Sequence, residues 1–102
     1  MSASIAVIGT LSFPAENIPK VLLHLKTLVE ATLKHDNCLT YDVALDPFAE
    51  GVIRFSELWP DRQSLDAHLQ AAHIAPWRQE AKRLGLQERQ FMSYEITGVQ
   101  AV

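Results

Sequence analysis

An apolar stripe between residues 18 and 33 constrains the fold more than any other feature of the sequence. Hydrophobic residues recur there every three or four positions, which is the spacing of one face of an α-helix. Asn17 precedes the stripe as a candidate N-cap, and Pro19 is tolerated in a first helical turn. The positions on the stripe are Ile18, Val21, Leu22, Leu25, Leu28, Val29, Thr32 and Leu33. A helix with one apolar face has to bury it, so neighbouring strands are expected to form a sheet beneath it.

Four other segments have the composition or the alternation of β-strands. The clearest covers residues 39–45, where hydrophobic and polar residues alternate along the whole segment. The predicted strands are residues 4–11, 39–45, 52–59 and 91–99. A second amphipathic helix follows Asp61, which suits an N-cap, and extends to Gly85, with Pro76 predicted to break it or to start a new helix. The predicted order is therefore strand, helix, strand, strand, helix, strand.

This order predicts an α+β domain of the ferredoxin-like type, a four-stranded antiparallel sheet with helices on one face. Because several strands carry apolar residues on both faces, the uncovered face is expected to pack against a second copy of the chain. A homodimer is the predicted assembly. With 102 residues, the chain is short enough to form one domain, predicted over residues 1–102.

Composition argues against several classes of partner. The net charge is −3 and the nine lysines and arginines are scattered along the sequence, so nucleic acid is not an expected ligand. No apolar run approaches the roughly 18 to 20 residues that span a bilayer, so no membrane association is expected. The N-terminus lacks the basic region and cleavage site of a signal peptide, and a cytoplasmic location is predicted. Cys38 is the only cysteine, which excludes an internal disulfide and a thiolate metal cluster.

Most residues with useful chemistry lie between Val52 and Trp77. His68 falls on the buried stripe of the second helix, whereas His73 lies about 140° further round a regular helix. A single helix cannot direct both side chains to one ion, and no metal site is predicted. Glu57 shares a strand face with two aromatic residues. Its carboxylate is expected to be solvated at a pocket mouth, paired with a base, or raised in pKa by burial.

Several motifs together resemble the antibiotic biosynthesis monooxygenase family, over about Ile5 to Ile96. They are Cys38-Leu39-x-Tyr41, Phe55-x-Glu57-x-Trp59-x-Asp61, Leu65-x-Ala67-His68-Leu69 and Ala72-His73. The resemblance implies a dimeric α/β barrel built from two ferredoxin-like subunits, with a pocket between sheet and helices in each. It also implies a monooxygenase that oxidises a quinol-like or phenolic aromatic substrate with dioxygen and uses no cofactor, because the substrate anion itself passes an electron to oxygen.

That chemistry needs a base, a dry aromatic pocket and a donor for the phenolate oxygen. His68 is the first candidate for the base, because it lies on the inward stripe of the second helix, and His73, at the break before Pro76, is the second. Glu57 is a catalytic or structural partner. The residues proposed to contact substrate are Trp59 and Phe55 as stacking platforms, Trp77 as a pocket wall, and Tyr41 or Arg54 as the oxyanion donor.

Other structures and functions are compatible with the same residues. His68 could be a core histidine bonded to Glu57, and Trp59 and Phe55 could be ordinary core residues. The protein could bind or isomerise a small metabolite without oxygen chemistry. Haem binding and degradation is a further alternative, but the first strand SIAVIGTL lacks the asparagine that accompanies this activity in the haem-degrading branch of the family.

Overall fold

The computed structural model describes residues 2–102, so the first residue of the predicted domain, Met1, lies outside the described range. The elements are β1 (Ile5–Ser12), α1 (Ile18–His35), β2 (Thr40–Leu45), β3 (Val52–Trp59), α2 (Arg62–Leu69), α3 (Ile74–Arg83) and β4 (Glu88–Glu95). A short 3-10 turn at Ala15–Asn17 precedes α1. Within residues 2–102 no helix has the length and apolar character needed to cross a membrane.

The strands form one antiparallel sheet in the order β2-β3-β1-β4. This topology, with the three helices on one face, is the predicted ferredoxin-like α+β fold. The two central strands carry the core: Ile5, Val7 and Leu11 from β1 are buried under the helices together with Ile53 and Phe55 from β3. Val21, Leu25 and Leu28 from the predicted stripe of α1 close over them. The helix stripe and the strand alternation therefore meet as expected, except that Leu33, at the end of the stripe, is 46% exposed.

The fourth strand begins earlier than predicted, at Glu88 instead of Phe91. Its first three residues are polar and exposed, so no hydrophobic pattern marks them as a strand. Pairing with β1 nonetheless places Arg89 opposite Leu11 and Phe91 opposite Gly9. A Cβ on Gly9 would lie 2.2 Å from the Phe91 ring, so only glycine lets this ring lie across β1. Arg89 thus becomes a strand residue on the helix-covered face.

Asn17 does not act as the predicted helix cap. Its side chain makes no capping bond to α1; its Nδ2 donates instead to the carbonyl oxygen of Leu84 at 2.9 Å. The preceding 3-10 turn already gives Asn17 helical backbone angles, which differ from the extended angles of a side-chain cap. Asn17 therefore ties the start of α1 to the end of α3.

Asp61 caps α2 as the sequence predicts. Its Oδ1 accepts a hydrogen bond from the backbone N–H of Ser64 at 2.7 Å. We expect Asp61→Ala to lower the free energy of unfolding by about 1 kcal/mol, because that N–H loses its partner. Urea denaturation measures the loss, and Asp66→Ala, an exposed change within the same helix, is the control. Equal stability of the two variants would contradict this role of Asp61.

Candidate active site

A cavity of about 550 Å³ lies between the sheet and the helices, where the family resemblance predicts a pocket. Its walls come from all four strands and all three helices, and most of the lining side chains are apolar or aromatic. Among the residues predicted to form the site, five line this cavity: Tyr41, Phe55, Glu57, His68 and Trp77. A ligand in this cavity would therefore contact these five residues.

Three predicted site residues do not line the cavity. Trp59 is fully buried behind it, and His73 lies at the start of α3. Arg54 points to the other face of the sheet, where its Nε donates to Asp46 Oδ2 at 2.7 Å. The alternation in β3 places Arg54 opposite in direction to Phe55. Arg54 is thus not in a position to hold a substrate oxyanion in this cavity.

A carboxylate that the sequence did not suggest, Asp36, connects both candidate bases. Its Oδ2 lies 2.7 Å from Nδ1 of His68 and 2.7 Å from Nε2 of His73. Asp36 follows the last residue of α1 and is only 8% exposed at its side chain. In the sequence it resembles an ordinary turn residue, and no local pattern relates it to histidines 32 and 37 positions away.

The two histidines converge because the chain between them is not a regular helix. Helix α2 ends at Leu69 and α3 begins at Ile74, so the break precedes Pro76, which lies inside the first turn of α3. The prediction that His68 and His73 point in different directions was therefore wrong, because it assumed one regular helix through both residues. The break turns His73 back toward the end of α1.

Asp36, His68 and His73 also form a group that could coordinate a metal ion. Their ligand atoms lie within 4.8 Å of one another, and two imidazoles with a carboxylate are a common donor set. In the present arrangement, however, both ring nitrogens facing Asp36 use their protons to bond the carboxylate. The three groups satisfy each other, and a cation would have to displace two hydrogen bonds of 2.7 Å.

The bond to Asp36 defines the tautomer of His68. A carboxylate oxygen only accepts hydrogen bonds, so the facing Nδ1 carries the proton and Nε2 keeps its lone pair in the neutral ring. Burial lowers the pKa of His68 below its usual 6.5, and this effect outweighs the opposite influence of Asp36 and is reinforced by His73 and Arg78. His68 lines the cavity, and a neutral imidazole whose Nε2 keeps its lone pair has the properties of a general base.

Aromatic rings hold the imidazole in place on its other sides. The Trp59 ring centroid lies 4.9 Å from that of His68, and the Tyr41 ring lies 5.8 Å away in an edge-on arrangement. The Trp59 indole N–H donates to Oε1 of Glu57 at 2.9 Å. Glu57 is therefore bonded to Trp59, and the alternative in which Glu57 holds His68 was wrong.

Burial of Tyr41 keeps its hydroxyl protonated. Desolvation raises the pKa of Tyr41 well above its usual range, and the nearby Glu57 carboxylate raises it further. A neutral phenol on the cavity wall can donate a hydrogen bond to a substrate oxygen. Trp77 forms another part of the wall and packs edge-on against Phe13, with centroids 6.4 Å apart.

Burial also raises the pKa of Glu57 above the usual 4.5, although the bond from Trp59 and the charge of Arg89 oppose this. The protonated carboxyl is thus favoured by folding, and the stability it contributes is lost as pH rises through the raised pKa. We expect Glu57→Gln, which cannot ionise, to gain stability relative to the native chain as pH rises above 4.5 and toward the raised pKa of Glu57. Urea denaturation across this range measures the difference; a constant difference would contradict the buried, perturbed carboxyl.

Four basic residues of the cavity lining were not predicted: Arg62, Arg78, Lys82 and Arg89. Two of them could have been found from the sequence, since Arg78 and Lys82 lie four residues apart on α3, as Trp77 and Ala81 do. Arg89 required knowledge of where β4 begins.

A ferredoxin-like domain that contains an aromatic cavity, lined by a histidine bonded to a carboxylate, is typical of small proteins that bind a ligand or catalyse its reaction. Residues 4–80 match the family model described as antibiotic biosynthesis monooxygenase. This match covers most of the chain, so the protein belongs to the antibiotic biosynthesis monooxygenase family. No curated protein sequence matches the chain.

Solved structures share the whole fold. A structure described as an antibiotic biosynthesis monooxygenase is 29% identical, with a TM-score of 0.83 over 92% of this chain and 99% of that one. A "putative antibiotic biosynthesis monooxygenase" from Deinococcus radiodurans is 24% identical, with a TM-score of 0.89 over 96% and 97% of the two chains. A conserved protein from Methanosarcina mazei is also 24% identical, with a TM-score of 0.83 over 91% and 92%.

Proposed function

We propose that this protein is a cofactor-independent monooxygenase that oxidises a hydroquinone or a related phenol with dioxygen. The observation that carries the proposal is His68, which lines an aromatic cavity and whose Nδ1 is held by Asp36, so that Nε2 keeps its lone pair. Membership in the antibiotic biosynthesis monooxygenase family supports the reaction class.

The proposed reaction begins with proton transfer from a substrate hydroxyl to Nε2 of His68. Asp36 stabilises the resulting imidazolium, and the Tyr41 hydroxyl donates to the phenolate oxygen. The electron-rich anion then reduces dioxygen directly; one oxygen atom enters the ring and the other leaves as water with the released protons. A hydroquinone supplies all the electrons, since it ends as a hydroxyquinone. Phe55 and Trp77 would orient the ring during these steps.

Oxygen uptake tests this proposal. Metal-free protein, prepared with a chelator, is mixed with a panel of hydroquinones and phenols in an oxygen electrode, and product is checked for one atom of labelled oxygen. We expect uptake with at least one member. Folded protein that consumes no oxygen with any of them would refute the proposal and favour a metabolite-binding or isomerase role in the same cavity.

Haem binding is the less favoured alternative. The residues of β1 that line the cavity, Val7 and Leu11, are apolar and offer no amide or ligand to a haem group. Adding haem and recording the visible spectrum tests this alternative directly. We expect no Soret band shift characteristic of a bound haem.

We further propose a homodimer built on the uncovered face of the sheet. Ile8 of β1 is 55% exposed there, and its partner in β4, Met92, is 62% exposed. Tyr94 lies beside them and is 50% exposed, so three large apolar side chains form one patch on paired strands. A patch of this kind indicates an interface between protein surfaces.

Ile8→Glu is expected to convert the dimer to a monomer, because it would bury a carboxylate at the interface. Analytical ultracentrifugation at micromolar concentration measures the change. Leu23→Glu is the matched control, since Leu23 is 70% exposed on α1, away from the sheet. A native chain that sediments as a monomer, or an Ile8→Glu variant that stays dimeric, would contradict this interface.

A further inference from the structure

The charges around the cavity are strongly unbalanced. Of the nine lysines and arginines in the sequence, four line the cavity, whereas only one of the twelve aspartates and glutamates does so. That single carboxylate is Glu57, whose burial raises its pKa and so favours its neutral form. The chain as a whole carries a net charge of −3, so the basic residues are concentrated where a ligand would enter.

The four cations come from three elements around the cavity. Arg62 begins α2, and its Nη2 donates to Ser93 Oγ of β4 at 2.9 Å. Arg89 of β4 lies over the Phe91 ring, with its guanidinium carbon 4.6 Å from the ring centre. Because these contacts use neutral partners, they fix the two guanidinium groups without neutralising them.

The other two cations lie on α3. Arg78 donates from Nη2 to the backbone oxygen of Leu69 at 2.7 Å, and Lys82 follows one helical turn later. Within residues 2–102, no carboxylate lies within 4 Å of the charged nitrogens of Arg62, Arg78, Lys82 or Arg89. Each keeps donors for another group.

The two arginines away from the cavity show a different pattern. Arg54, on the uncovered face of the sheet, is paired with Asp46, and Arg83, next to Lys82 on α3, is paired with Glu80 at 2.7 Å. The arginines away from the cavity thus have their own carboxylates, whereas the arginines on the cavity do not. Guanidinium groups bind carboxylates well, so the three unpaired arginines on the cavity are suited to an anionic group of a ligand.

We propose that the ligand of this cavity is an anionic aromatic molecule, with its ring among Phe55, Tyr41 and Trp77 and its carboxylate or equivalent anionic group held by the basic residues at the rim. The inference deepens the proposed function, on which it rests for the aromatic part of the ligand. The same positive field would favour the phenolate that His68 generates. The cations therefore select the substrate and lower the cost of its ionisation.

A pair of probes that differ in one charge tests the proposal. Gentisate is a hydroquinone with a carboxylate, and methyl gentisate has the same ring without that charge. Both are titrated into the whole protein under nitrogen, where no turnover occurs, by calorimetry or by quenching of tryptophan fluorescence. We expect gentisate to bind about tenfold or more tightly than its ester, and this advantage to shrink as salt is added.

Neighbouring positions on α3 supply a matched pair of variants. Lys82→Gln and Arg83→Gln remove the same charge one residue apart, but only Lys82 lines the cavity. We expect Lys82→Gln and Arg89→Gln each to weaken gentisate binding roughly three- to tenfold and to leave the ester almost unaffected. Arg83→Gln should change neither. Equal affinity for the two probes, including no detectable binding of either, would overturn the proposal, as would equal effects of all three substitutions.

The binding result is independent of oxygen chemistry. Selective gentisate binding without oxygen uptake from any panel member would support the anion site and refute the monooxygenase proposal. Oxygen uptake from neutral hydroquinones with no preference for an anionic probe would support the monooxygenase proposal and refute the anion site.

Discussion

Replacing His68 with glutamine lowers kcat/KM for oxygen uptake by roughly a hundred- to ten-thousandfold, the range expected for loss of a general base. Glutamine is similar in size and can still donate to Asp36, but it has no nitrogen that accepts a proton at neutral pH. The measurement is the initial rate of oxygen consumption with the best panel substrate. Uptake that survives in a folded His68→Gln variant would transfer the role of base to His73 or to another group.

The pH dependence of the native protein gives a second measure of the same residue. His68 acts as a base only when neutral, and burial lowers its pKa below 6.5. The rate should therefore be nearly constant from about pH 7 upward and fall as pH drops through that lowered pKa. If the decrease in rate at low pH is absent in the slow His68→Gln variant, that decrease results from protonation of His68.

Asp36 is a positioning residue in this scheme, and Asp36→Asn separates its effect from loss of packing. An amide nitrogen facing Nδ1 would donate to the ring and favour the tautomer with its proton on Nε2. We expect a lower rate together with a shifted acidic limb, whereas a purely structural role would change stability alone. His35→Gln, an exposed change one residue earlier, is the control.

Trp59→Ala is expected to destabilise the fold more than any other single change considered. Trp59 is 0% exposed, and its truncation would cost about 3 to 5 kcal/mol for the cavity it leaves. Glu57 would also lose the indole donor at 2.9 Å, and the His68 ring would lose its closest aromatic neighbour. Because small domains are stable by only about 5 to 15 kcal/mol, the variant should be partly unfolded at physiological temperature.

Trp59→Phe distinguishes packing from hydrogen bonding. Phenylalanine fills much of the same space but has no N–H, so the expected loss is about 1 to 3 kcal/mol, the cost of an unsatisfied buried acceptor. Urea denaturation of both variants provides the comparison. A loss below about 1 kcal/mol for Trp59→Ala would contradict the central position of this ring in the core.

Local sequence patterns predicted the structure correctly at some residues and not at others. The stripe of α1, the alternation of β2 and β3 and the cap at Asp61 were predicted, because each depends on residues close together in the chain. The cavity positions of Phe55, Glu57 and His68 also followed from alternation and helical spacing together with the family resemblance. Arg54 was wrongly predicted to contact the substrate, because the alternation of β3 places it on the opposite face of the sheet from Phe55.

The sequence by itself therefore determined the order of the strands and helices and the buried face of most of them, since side-chain periodicity is a local property of strands and helices. It did not determine the start of β4 or the break between α2 and α3. Only the tertiary structure decided which polar groups meet. Asp36 reaches His68 and His73 across 32 and 37 residues, and four cations from three elements meet at one cavity. Hydrogen bonds and charge fields depend on distances between elements, and those distances are set by how the helices pack on the sheet, which no local pattern encodes.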